Sequence, residues 1–289
     1  MPELDRRSVI AGLPAAAMLA SAPARARPAG TPVFGAETFT LANGLTAAVI
    51  PMRRAPVVAH MVWYRVGGAD EPPGLSSMAH FLEHMMFKGT TTLGPGEFSR
   101  RVAREGGRDN AFTGHDYTGY FQQVAADRLE LVMRMEADRM ANLVIDAQET
   151  ESERLVILEE RRQVIDNVPT RRFRERLATL LYLNHPYGRP IIGWEHEIRA
   201  IPREELLRFH ERYYGPGNAI LVVQGDVTTE QVRRLAEATY GAAPPSPRVE
   251  RVRPQEPPPA GERRLALPDP RVREPQMARL HLAPTARAL

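Results

Sequence analysis

Cysteine is absent from all 289 residues. Disulfides and thiolate ligands are therefore excluded, and any bound metal must be held by nitrogen and oxygen donors. Lysine is almost absent as well: Lys88 is the only one, and every other basic side chain is arginine or histidine. The net charge of +3 is small, and no basic segment interleaved with aromatics accompanies it. A nucleic-acid partner is disfavoured on that ground. Long apolar runs are missing too; the longest, Val9 to Ala20, falls short of the roughly 20 residues that a membrane span needs. What remains is an ordinary globular composition, 43% hydrophobic, with ample material for a core.

The N-terminus reads as a leader rather than as fold. Arg6-Arg7 precedes the apolar run, and small-residue ends follow at Ala22-Pro23-Ala24 and Ala24-Arg25-Ala26. A charged start, a short apolar centre and an A-x-A end make a secretory signal peptide over residues 1–26. Its paired arginines resemble a twin-arginine signal, which implies a periplasmic destination and export of an already folded chain.

Residues 33–240 read as one α+β domain, an antiparallel sheet covered by helices. Asn43-Gly44 between two short apolar-alternating runs predicts a hairpin, and Pro56 to Val66 predicts a buried third strand. Further strands are expected at 110–113, 117–124 and 218–225. Helical spacing covers 95–105, 125–142, 147–164, 173–183, 203–214 and 229–240. Residues 241–261 are proline-rich and read as a semi-rigid linker. Strand-like stretches recur beyond it, at Arg264 to Leu267 and Gln276 to Leu282.

The chemistry is concentrated in His80-Phe81-Leu82-Glu83-His84. On a helix, positions i, i+3 and i+4 share one face, so two imidazoles and a carboxylate converge. Met78, Phe81, Leu82 and Met85 supply apolar surface to bury that helix. Two neutral nitrogens for a metal, with a carboxylate near enough to take a proton from water, form the inverted zinc-peptidase motif H-x-x-E-H. A third ligand must come from elsewhere. The stretch Glu151 to Glu160 offers Glu153 and Glu160, two helical turns apart on one face, whereas Glu159 points away. Spacing alone leaves open which of that pair ligates and which orients a histidine. His60, in an apolar strand, reads as a core histidine; the other histidines lack ligand spacing.

The residues resemble the pitrilysin/insulinase-type inverted-zinc peptidases, in particular the branch like mitochondrial processing peptidase and its bacterial relatives. The resemblance runs from about Phe39 to Val227. It rests on Ser77 to Thr90, on Gly106-Gly107 with Asn110-Ala111-Phe112-Thr113, on His185-Pro186-Tyr187-Gly188, and on Tyr214 to Asp226. It implies a zinc endopeptidase with His80, His84 and Glu160 as metal ligands, Glu160 lying 76 residues after His84. It also implies Glu83 as the general base that activates water, Glu153 as a supporting carboxylate, and Asn110, Ala111 and Phe112 as the edge on which an extended peptide is bound. Family members carry two similar halves. Residues 262–289 resemble only the opening of the second, which implies either that the chain is a fragment or that a partner half or homologous subunit supplies the rest, and leaves a non-catalytic, peptide-binding subunit as the alternative.

Overall fold

The computed structural model describes residues 33–283; the leader expected over 1–26 lies outside them. Strand β1 (Glu37–Thr40) turns at Asn43 and Gly44 into β2 (Thr46–Pro51). Gly44 has φ 95°, and the Asn43 side chain accepts the Leu45 N–H at 3.3 Å, so both residues of the expected hairpin signal serve the turn. Strands β3 (Val57–Tyr64), β4 (Arg108–Thr113), β5 (Thr118–Ala125) and β6 (Ala219–Gly225) complete one sheet in the order β1-β2-β6-β3-β5-β4.

The sheet is mixed rather than purely antiparallel, because β2 and β6 run parallel. All other neighbouring pairs are antiparallel, as expected. The exception follows from connectivity. The chain enters β6 from a helix, far along the sequence from β2, so no tight turn dictates its direction.

Eight α-helices lie among the described residues: α1 (Met78–Met85), α2 (Glu97–Arg104), α3 (Leu129–Asn142), α4 (Ala147–Arg161), α5 (Pro169–Leu181), α6 (Glu195–Ala200), α7 (Arg203–Tyr213) and α8 (Thr229–Thr239). Helix α3 packs on β3 and β5, and α8 on β2; α1 is held between β4, α4 and α7. Period-two burial in β3 and β6 puts Val58, Val62, Leu221 and Val223 into the core.

A buried polar chain crosses that core. His60 bonds Gln122 through Nδ1 at 2.6 Å and Tyr240 through Nε2 at 2.9 Å. Gln122 donates to Glu136, which pairs with the wholly buried Arg139 at 2.7 Å. The guanidinium lies over the rings of Phe98, Tyr120 and Phe87. Removing one member of such a pair strands the other charge, at a cost of about 3–5 kcal/mol.

Burial also predicts acid sensitivity. Desolvation pushes the His210 imidazole down to about 4 and lowers His60 as well. An unfolded histidine takes its proton near 6.5, so between those values the unfolded chain binds more protons than the folded one. Stability should fall as pH drops from about 6.5 to 4, by at most ~3 kcal/mol for His210. A His210→Gln chain is expected to show a flatter melting temperature over that range.

The C-terminal stretch departs from expectation. Arg264 to Leu267 and Gln276 to Leu282 form no strands, and Met277 is 97% exposed. Alternating apolar residues make a strand only against an edge that can pair with them. The proline-rich segment has no regular secondary structure beyond Ala243 and is pinned to the domain. Arg253 pairs with Asp70 at 2.7 Å and Asp116 at 3.0 Å. The Glu256 carboxylate accepts the N–H groups of Leu183, Asn184 and His185 at 2.6–2.9 Å.

Candidate metal centre

Helix α1 starts abruptly. Ser77, with φ 86°, provides no side-chain cap; instead the buried Glu71 carboxylate accepts the N–H groups of Ser77 at 3.2 Å and Ala79 at 2.8 Å. Its apolar residues Met78, Phe81, Leu82 and Met85 are all at most 1% exposed. Their burial turns His80, Glu83 and His84 toward the opposite side. There α1 faces α4, whose N-terminus is capped by Asp146 accepting from Gln148 and Glu149.

The two helices bring His80, His84 and Glu160 together. Nε2 of His80 and Nε2 of His84 are 3.3 Å apart, and Oε2 of Glu160 lies 3.6 Å and 3.5 Å from them. Donors arranged tetrahedrally at zinc bond lengths of about 2.0–2.1 Å stand about 3.3–3.4 Å from one another. The triangle therefore fits a zinc-sized ion, and its two nitrogens and one carboxylate oxygen suit that metal. Glu153 does not join it. Its Oε1 accepts from His84 Nδ1 at 2.7 Å, fixing the ring so that Nε2 faces the triangle, and its other oxygen pairs with Lys88. Glu159 is turned to Arg162 and Gln163, as its helical position predicts.

Electrostatics reinforce the arrangement. Burial and the neighbouring His84 push the His80 imidazole down to about 4. Burial also acts to lower His84, but the bonds to Glu153 and Glu160 outweigh it and raise it to about 9. Glu160 is lowered, chiefly by its bond to His84.

Glu83 stands apart from the triangle. Burial raises its pKa, opposed by the hydroxyl of Thr113, which donates to Oε2. Thr113 ends β4, the sheet's outer strand. The Ala111 N–H is bonded to the side chain of Asn110 at 2.9 Å rather than to β5, so it points away from the sheet. Phe112 packs edge-on against Trp63 and, with Thr113, His80, Glu83 and Glu160, borders a cleft of about 540 Å³. Sequence reasoning assigned no task to Thr113 or Lys88, and missed the α5 wall of this cleft altogether. The isolation of Lys88 in an otherwise arginine-only chain was the one available signal.

Comparison with known proteins agrees with this geometry. The profile described as Insulinase (Peptidase family M16) matches residues 48–195, and that of the Peptidase M16 inactive domain matches residues 200–284. The zinc protease PqqE of Helicobacter pylori is 37% identical over 205 residues, covering 71% of this chain and 46% of that protein. A solved protease structure from Helicobacter pylori superposes with a TM-score of 0.72 at 35% identity, covering 76% of this chain and 53% of the other. The periplasmic protease PqqL of Escherichia coli gives 0.71 at 26% identity, covering 76% and 25%. The chain spans about half the length of the curated relatives it matches. With an α+β fold, a histidine-carboxylate cluster and zinc proteases as its relatives, the chain belongs to the insulinase family of peptidases, M16.

Proposed function

We propose that this chain is the metal-binding half of a zinc endopeptidase that hydrolyses extended peptides or unfolded segments. The observation that carries this reading is the triangle of His80, His84 and Glu160, with tetrahedral edge lengths, beside a carboxylate that is not part of it. His80, His84 and Glu160 hold the ion, and Glu153 orients His84. Bound there, zinc would supply Lewis-acid polarisation and a lowered pKa for water.

The remaining work falls to the chain's own side chains. Glu83 takes a proton from the attacking water and delivers it to the departing amine. Thr113 holds the Glu83 carboxylate in place. An extended peptide adds to the free edge of β4, taking the outward Ala111 N–H in exchange for its bond to the Asn110 side chain, with Phe112 alongside. Main-chain pairing selects extended shape over sequence. The leader reading and the periplasmic relative support a periplasmic location.

A non-catalytic subunit, dependent on a partner, is the second reading. It is favoured by the match to the Peptidase M16 inactive domain over residues 200–284. The full chain is expected to take up one zinc and, alone or with a second M16-type half, to cleave an unstructured peptide until a chelator is added. One zinc per chain with no cleavage in either condition would favour the subunit reading.

Glu153→Gln tests the support of the metal. Zinc affinity is expected to fall roughly 10–100-fold, because His84 loses the carboxylate that fixes its ring. Competition with a chromogenic chelator measures it, and unchanged affinity would remove Glu153 from the site.

A further inference from the structure

We propose that the cleft beside Glu83 contains a carboxylate-binding subsite formed by Arg171 and Arg174. It would select peptides with an Asp or Glu side chain, or a C-terminal carboxylate, close to the bond to be cut. This rests on the peptidase reading and names the class of substrate that reading leaves open.

Arg171 and Arg174 stand three residues apart in the first turns of α5, hence on one face. Both border the cleft that also contains His80, Glu83 and Glu160. Neither makes an ion pair among the described residues, although the arginines around them are engaged. Arg161 pairs with Glu175 at 2.9 Å, Arg172 approaches Asp269 at 3.8 Å, and Arg176 lies over the Trp194 ring. The carboxylates of the cleft are committed as well: Glu175 to Arg161, Glu160 to the histidines, Glu83 to Thr113. Arg189, also on the cleft, donates to the backbone carbonyl of Glu71. Arg171, Arg174 and Arg189 thus put three guanidinium-bearing residues on the lining of the cleft that contains the base. Two neighbouring guanidiniums, both exposed to an incoming peptide, match a carboxylate's paired oxygens, and Val164, Ile165 and Ile191 line the cleft beside them.

The test uses the full chain carrying Glu83→Gln to prevent turnover, loaded with zinc. Fluorescent unstructured peptides differ only in a central Glu, Gln or Lys and are C-terminally amidated; a Gln peptide with a free C-terminus forms a fourth arm. Anisotropy should show the Glu peptide, or the free-acid peptide, bound about 10-fold more tightly than amidated Gln. Which of the two is preferred identifies the source of the carboxylate. The preference should weaken with salt and invert toward Lys after Arg171→Glu with Arg174→Glu. Equal affinities in all arms, no binding in any, or a preference that survives the double substitution would overturn the proposal. Zinc content, measured alongside, separates the two levels: zinc held without charge preference removes only the subsite, whereas zinc not held removes the peptidase reading.

Discussion

A Glu83→Gln chain keeps its zinc and loses peptide hydrolysis by at least about 10²–10⁴-fold, the range for a positioned general base. The amide has the same shape and can still accept the Thr113 hydroxyl, so α1 and the triangle are undisturbed. It cannot take a proton from water. Metal content and the cleavage rate of a fluorogenic peptide, measured on the same sample, decide the matter. Zinc lost from the variant would make Glu83 a ligand, and cleavage retained would place the proton acceptor elsewhere.

Glu160→Ala is expected to abolish stoichiometric zinc. Two imidazoles remain, and losing one of three protein ligands should cost affinity by roughly 10²–10³-fold, a third or so of a typical structural zinc free energy. Zinc normally stabilises whatever state binds it, so the zinc-dependent rise in melting temperature should vanish with it. Glu159→Ala is the matched control one residue away. Its carboxylate pairs with Arg162 and Gln163 at the surface, and its loss should leave zinc binding unchanged.

Much of this was legible in the residues. The apolar neighbours of the motif bury one side of α1, and that alone turns His80, Glu83 and His84 together. The Asn43-Gly44 hairpin and the strand and helix order follow from local pattern. Spacing on α4 could name Glu153 and Glu160 but could not separate them, because helical periodicity fixes a face and not a depth. Only the crossing with α1 sets one carboxylate on Nδ1 of His84 and the other on the triangle. The parallel pairing of β2 with β6 was invisible for a similar reason, since strands far apart in sequence carry no local mark of direction. The apolar alternation of Arg264 to Leu267 misled because a strand needs a partner that local pattern does not report. Helix α6 escaped notice because six residues show too little periodicity. The free arginines of α5 depend on which carboxylates lie near them, a property of the folded chain.

Strand β6 sits between β2 and β3, although it is translated long after both and after α1 and α4. Until it emerges from the ribosome, the sheet is a two-stranded hairpin, β1-β2, and a three-stranded piece, β3-β5-β4, each with open edges of the kind that recruits other chains. Native assembly thus waits for β6 and closes through non-local, hence slow, pairing. Any nascent chain halted before Ala219 is a candidate for chaperone capture or aggregation.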